Sequence, residues 1–196
     1  MGVYGWLVRV PATELAAMRM KPATVGEYLE QEFDPDKDEV MHLDMTWHVI
    51  HFLLTGTPAE APGILGKTIF GGDTVGEDRG NGPARCLTPG EVREVAAALS
   101  TISPEELVSR YDCAKLHAED VYLFHGHDPT HPPRKLGLTD RLLGRKVPKR
   151  RSEYEDITGE QWDEQLRQEI RERYADLVSF YANTATGGYG VLAMID

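Results

Sequence analysis

The segment from Asp44 to Thr55 constrains the fold more than any other part of the sequence, because it is apolar around almost its whole circumference. Asp44 offers an N-cap for a helix, and Gly56 follows at a position where helices commonly end. The apolar positions in between are Trp47, Val49, Ile50, Phe52, Leu53 and Leu54. A helix that is apolar on nearly every side is usually surrounded by other elements. We therefore expect this helix to be central, with Trp47 largely buried.

Both ends of the sequence predict strands that can pair with each other. Residues Val3 to Val10 alternate and are rich in aromatic and β-branched side chains, and Tyr189 to Ile195 form an apolar run. From Thr158 onward, apolar residues recur at intervals of three and four until Gly187, which predicts one long amphipathic helix. The sequence therefore predicts an α+β fold, in which several helices pack on a small sheet that contains both terminal strands.

Three sites carry the spacing of a helix start, with a hydroxyl residue followed three positions later by a glutamate. Thr24, Thr88 and Ser103 occupy these positions. The hydroxyl oxygen can accept a hydrogen bond from the backbone, and the glutamate can reach back. We expect a helix to begin at each of the three sites.

The segments between these helices give weaker signals. We expect a polar loop from Asp34 to His42 and a glycine-rich loop from Gly71 to Pro83. Ala84 to Leu87 favours a strand, whereas Ile64 to Phe70 is a short apolar element of undecided type.

Length and composition indicate one domain inside the cell. A chain of 196 residues can bury a sizeable core, and no apolar run approaches the roughly 20 residues that cross a bilayer. The first residues lack the basic and apolar regions of a secretory signal. With only two cysteines, Cys86 and Cys113, we expect reduced thiols and a cytoplasmic location.

Charge is distributed very unevenly along the chain. The net charge is -11, which argues against general nucleic-acid binding, but residues 134–151 carry eight basic side chains and only one acidic one. That segment has a net charge of +7, which leaves -18 for the remainder. We consider seven of its basic residues candidates for an interaction with an acidic surface: Arg134, Lys135, Arg145, Lys146, Lys149, Arg150 and Arg151.

Several motifs resemble a known bacterial family. The string Trp47-His-Val-Ile-His-Phe-Leu-Leu-Thr-Gly56 is similar to the signature of the YfbM-like family, a domain of unknown function. The opening Met1-Gly-Val-Tyr-Gly5 and the stretch from Gly82 to Val92 agree with it. The resemblance implies a single α+β domain over residues 1–196 and brings no established reaction with it. The basic stretch at about 125–151 departs from the family pattern, which predicts a loop insertion there.

One constellation in the central helix could carry chemistry. Asp44, His48 and His51 fall at positions i, i+4 and i+7, so that their side chains can line one face beside Trp47. Two imidazoles and a carboxylate can hold a divalent metal. The competing interpretation, which we prefer, makes Asp44 an N-cap and the histidines packed or hydrogen-bonded groups, so we expect no bound metal or cofactor.

The glycine-rich loop offers a second candidate for the wall of a pocket. It lacks the Gly-Lys-Ser/Thr ending of a phosphate loop, so nucleotide binding is not supported. Glycine nevertheless lets a ligand approach the backbone, and Glu77, Asp78 and Arg85 border this loop.

These observations favour a non-catalytic binding or interaction domain with a protein partner. The first alternative is an uncharacterised enzyme, with or without a metal, whose site lies near Asp44, His48 and His51. The second is a nucleic-acid binder that uses the basic segment 134–151. No nucleophile motif supports the enzyme alternative directly.

Overall fold

The protein folds around a five-stranded antiparallel sheet. The computed structural model describes residues 3–32, 39–78, 80–124 and 159–195. Across the sheet the strand order is β2-β1-β5-β4-β3. The strands are β1 (Gly5–Val10), β2 (Val40–Asp44), β3 (Asp73–Asp78), β4 (Pro83–Leu87) and β5 (Gly190–Ile195).

Eight α-helices and one short 3-10 turn are found in the described ranges. The helices are α1 (Ala12–Met20), α2 (Thr24–Glu32), α3 (Trp47–Thr55), α4 (Ile64–Phe70), α5 (Pro89–Leu99), α6 (Pro104–Ser109), α7 (Cys113–Ala118) and α8 (Gly159–Gly187). The 3-10 turn spans Tyr122–Phe124. Among these residues, no helix is long and apolar enough to cross a membrane.

The first and last strands are neighbours in the middle of the sheet, as the sequence predicts. β1 and β5 pair antiparallel over their full lengths, from Gly5 opposite Ile195 to Val10 opposite Gly190. The predicted α+β fold, with both terminal strands in one sheet, is confirmed.

The sheet is buried on both faces. Successive strand residues point to opposite faces. Leu7 and Val191 belong to the larger cluster, which contains residues of α3 and of α5 to α8, whereas Val8 and Leu192 belong to the smaller one with residues of α1 and α2. This arrangement explains why the central strands β1 and β5 are rich in apolar residues, whereas the edge strand β3 is acidic and mostly exposed.

Helix α3 lies in the core, as its composition predicts. Its buried residues include Val49 and Ile50, and Trp47 is only 6% exposed. The long final helix is also confirmed, and its inward stripe of Ile170, Tyr174 and Leu177 is fully buried. A helix begins at each of the three predicted starts, and at two of them the predicted cap forms: Thr88 and Glu91 form a capping box, and the hydroxyl oxygen of Ser103 accepts from the N–H of Glu106 at 3.1 Å.

Several local predictions were wrong. Residues 40–42 lie in strand β2 rather than in a loop, and β3 lies within the predicted glycine-rich loop. The hydroxyl of Thr24 donates to the carbonyl of Lys21 instead of accepting as an N-cap. The undecided segment Ile64–Phe70 is helix α4. Asp44 is not the N-cap of α3: it ends β2 with a φ of 51°, and its carboxylate accepts from the N–H of Met45 at 2.9 Å.

Candidate functional site

A groove with a volume of about 270 Å³ opens beside helix α4. Its walls come from the loop between α3 and α4, from α4 itself, from the turn that enters β3, and from β4. The charged residues along it are Glu60, Lys67, Asp73 and Arg85. The groove is therefore built from elements that meet only in the folded chain.

Glycine allows these walls to approach one another. A Cβ atom at Gly66 would overlap the carbonyl oxygen of Ala61, so α4 packs against the preceding loop only with glycine at this position. A Cβ at Gly72 would lie 2.7 Å from the carbonyl oxygen of Cys86. These contacts bring the elements that line the groove close together.

Arg85 is fixed by two partners from different segments. Its Nε–H donates to the carbonyl oxygen of Gly72 at 2.9 Å, and its Nη1 donates to the carboxylate of Glu60. The arginine side chain is 25% exposed and that of Glu60 is 64% exposed. The guanidinium is therefore held at the groove wall, with its carboxylate partner supplied by an exposed loop.

Lys67 belongs to a second, separate network. Its Nζ donates to Oε1 of Glu91 at 2.6 Å, while Oε2 of Glu91 accepts from the backbone N–H of Thr88 at 2.9 Å. Hydrogen bonding to Glu91 raises the pKa of Lys67. Burial alone would raise the pKa of Glu91, but hydrogen bonds from Lys67 and Thr88 outweigh burial and lower it. This pair stays charged and ties α4 to the start of α5.

Both ring nitrogens of His48 are hydrogen-bonded to backbone groups. The N–H of Tyr122 lies 2.8 Å from Nδ1, which must accept, so Nε2 carries the proton and donates to the carbonyl of Pro58 at 2.8 Å. His48 also stacks on Trp47. This histidine is a structural link between α3, the loop that follows it and the 3-10 turn.

His51 pins the same loop one turn further along α3. Its side chain is fully buried, and Nε2 lies 2.9 Å from the carbonyl oxygen of Ala59. Nδ1 of His51 is buried and has no hydrogen-bond partner in the described part of the chain. Burial lowers its pKa, so the ring is neutral at pH 7. The ring of Phe70, which lines the groove, packs nearly perpendicular to the imidazole with centroids 4.5 Å apart.

The predicted trio does not form a common face of α3. The helix begins at Trp47, and Asp44 lies before it. Burial raises the pKa of Glu169 on α8, and the charge of Asp44 acts in the same direction. Both histidines point toward backbone carbonyls of the loop. Among the described residues, no group of three or more metal-ligating side chains is close enough to hold a metal ion.

Of the other predicted pocket residues, Arg85 lines the groove. Trp47 is instead a core residue that donates from Nε1 to the carbonyl of Val3 at 3.1 Å. Glu77 and Asp78 lie at the far end of β3, where the carboxylate of Asp78 accepts from Gly80 and Gly82. The candidate interaction residues of segment 134–151, and the predicted insertion at 125–151, lie outside the described residues.

The sequence did not reveal Glu60, Lys67 and Asp73 as groove residues. Glu60 stands in a proline-containing connection and Lys67 in a helix of seven residues. The Thr88 capping box did predict the position of Glu91, but not its ion pair with Lys67.

The fold and the groove define a small α+β domain with a polar groove lined in part by glycines. Residues 1–132 match the family described as Domain of unknown function (DUF1877), so the chain belongs to this family. None of the curated proteins matches it in sequence.

A solved structure confirms the fold. The chain is similar to the crystal structure of YfbM, a protein of unknown function from Escherichia coli, with a TM-score of 0.65 and 16% sequence identity. The similarity covers 98% of this chain and 99% of that chain. At this level of identity the similarity establishes a shared fold and no shared activity.

Proposed function

We propose that this protein is a cytoplasmic, non-catalytic interaction domain that binds a protein partner. The observation that carries the proposal is that His48 and His51 are hydrogen-bonded to backbone groups. Both ring nitrogens of His48 and Nε2 of His51 lie within hydrogen-bond distance of backbone groups, and the two rings hold the loop after α3 in place. The two histidines that the sequence offers as catalytic candidates therefore serve to hold the backbone in place.

The uneven charge supports an interaction function. Residues 134–151 carry a net charge of +7, and the rest of the chain carries -18. Complementary potentials steer association and select partners, and they need no catalytic group. We propose that the basic segment contacts an acidic surface on the partner.

The experiment compares two charge reversals in the full chain. One variant carries Lys149→Glu, Arg150→Glu and Arg151→Glu. Its matched control carries the same number of reversals at exposed positions of the described body, namely Lys21→Glu, Arg93→Glu and Lys115→Glu. Partners retained by each tagged protein from its native cells at moderate salt are compared by mass spectrometry.

We expect a partner that is retained by the wild type and the control and lost from the first variant. Equal retention by both variants contradicts a role for the basic segment. Binding of duplex DNA that weakens steeply with salt, and that is lost in the first variant, supports the nucleic-acid alternative instead.

Elemental analysis of the purified protein tests the enzyme alternative. We expect no stoichiometric metal. One zinc, iron or manganese ion per chain that is lost on combining His48→Ala with His51→Ala would make metal-assisted chemistry the leading function.

A further inference from the structure

We infer that the groove beside α4 binds a carboxylate group presented by an acidic side chain of the partner, and that Glu60 occupies the place of this carboxylate in the free protein. The inference rests on the proposed interaction function and specifies the chemistry that the partner presents. Arg85 is the group that receives the carboxylate.

Arg85 is prepared for such a contact by the backbone. The hydrogen bond from its Nε to the carbonyl oxygen of Gly72 fixes the guanidinium at the wall of the groove. A guanidinium presents five N–H donors in a planar fork that suits a carboxylate. The contacts with Gly72 and Glu60 leave further donors for a ligand.

Glu60 can be displaced from Arg85 at little cost. It comes from the loop between α3 and α4, and its side chain is 64% exposed, so its ion pair adds little to stability. The other charged groups of the groove pair with residues on helices, Lys67 with Glu91 on α5 and Asp73 with Arg19 on α1. Moving Glu60 aside therefore leaves the remaining ion pairs intact.

The loop can release Glu60 without losing its attachment. His48 and His51 bind the carbonyl groups of Pro58 and Ala59, immediately before Glu60. These bonds anchor the backbone while the glutamate side chain remains free to turn outward. The exchange thus replaces one carboxylate with another on a preformed arginine.

The size and walls of the groove fit one side chain. A volume of about 270 Å³ is below the roughly 300–1,000 Å³ of pockets that enclose drug-sized ligands. Of the glycines that line it, Gly66 and Gly72 let the walls pack closely together, whereas nothing lies within 4 Å of the place of a Cβ at Gly63. A single carboxylate side chain fits this volume, and Arg85 lies in the same lining.

The first test uses two probes that differ only in charge. N-acetyl-glutamate amide and N-acetyl-glutamine amide are titrated separately into the full chain, and binding is followed by NMR chemical shifts. We expect the glutamate probe to shift the amide signals of Gly71, Gly72 and Arg85 in a saturable manner. The glutamine probe should leave them unchanged.

Three variants connect the binding to the proposed residues. Arg85→Gln should weaken binding of the glutamate probe by roughly tenfold or more, because it removes the guanidinium and its charge-assisted hydrogen bonds to the carboxylate. Glu60→Gln should strengthen binding by about twofold to fivefold, since it removes the competing carboxylate. This gain cannot result from misfolding. Arg93→Gln removes an exposed cation outside the groove and should change nothing.

Equal binding of the two probes, or no effect of Glu60→Gln, overturns the inference. Free glutamate that binds more tightly than its blocked form also overturns it, because it points to a small carboxylate in place of a protein side chain. Retention of the cellular partner by Arg85→Gln contradicts the groove inference alone. In that case the interaction function stands if reversal of the basic segment still abolishes partner binding.

Discussion

The backbone N–H of Tyr122 donates to Nδ1 of His48 across 2.8 Å, although the two residues are 74 positions apart in the chain. This bond leaves the ring proton on Nε2, which donates to the carbonyl of Pro58. The hydroxyl of Tyr122 accepts in turn from the N–H of Val3 at 2.7 Å. The imidazole thus connects helix α3, the 3-10 turn and the loop between α3 and α4, which we call the groove loop, and the phenol of Tyr122 extends the network to Val3.

Replacement of His48 by alanine should lower the free energy of unfolding by about 1–3 kcal/mol, because a backbone N–H and a carbonyl lose their partner. Denaturant melts at pH 7.5 measure the loss. His48→Gln is the control: its amide can still donate toward Pro58, so it should lie between alanine and wild type. A loss no larger in His48→Ala than in His48→Gln would contradict the predicted contribution of the hydrogen bond to Pro58.

Trp47 contributes to the core in a way that can be tested directly. Its side chain is 6% exposed, so Trp47→Ala should cost about 3–5 kcal/mol of stability. Met20, which is 83% exposed, gives a matched control, and Met20→Ala should stay within about 0.5 kcal/mol of wild type. Coincident urea melts for Trp47→Ala and wild type would refute the assignment of this residue to the core.

Local structure was predictable where a sequence pattern is compatible with a single conformation. The Thr88 and Glu91 pair specifies a helix start that depends on a few neighbouring residues only, and the stripe from Leu166 to Tyr181 specifies a buried helix face. Asp44 shows the limit. Aspartate is favoured both at N-caps and in left-handed turns, and its sequence neighbours do not separate the two roles.

The groove could not be predicted because its residues are joined by tertiary contacts. Glu60 and Arg85 form an ion pair although they are 25 positions apart in the chain. Lys67 and Glu91, which form the second ion pair, are 24 positions apart. Strand β3 could not be predicted because its aspartate, glutamate and glycine residues have low strand propensity. Such residues are tolerated at the edge of a sheet, where β3 lies.

The close packing at Gly66 predicts a large effect of one methyl group. Gly66→Ala would force the new Cβ into the carbonyl of Ala61, so we expect a loss of about 1–3 kcal/mol and a displaced groove loop. Gly90, in helix α5, is the control, since the nearest atom to its added Cβ lies 3.8 Å away. Gly90→Ala should be neutral or stabilise by up to about 1 kcal/mol. Thermal melts rank the two variants, and equal melting temperatures contradict the predicted overlap.

The buried ring of His51 predicts a loss of stability in mild acid. Burial lowers the pKa of His51 below 6.5, and His48 acts in the same direction, while the bond to Ala59 and the charge of Glu60 oppose them. The unfolded chain therefore binds a proton near pH 6.5 that the folded chain does not yet bind. Stability that rests on the neutral ring is complete above this value. It is lost as the pH falls through 6.5 toward the folded pKa.

The measurement compares wild type with His51→Gln in urea melts from about pH 8 to about pH 5.5. Glutamine can keep the donor toward Ala59 but has no ring to protonate, so its stability should fall less over this range. Glu91 also has a lowered pKa, but its contribution is lost around and below its ordinary value of 4.5 and is common to both proteins. An NMR titration gives a second readout that does not depend on stability. If the His51 ring in the folded protein takes up its proton at or above pH 6.5, the neutral, buried ring that anchors the groove loop is the wrong description.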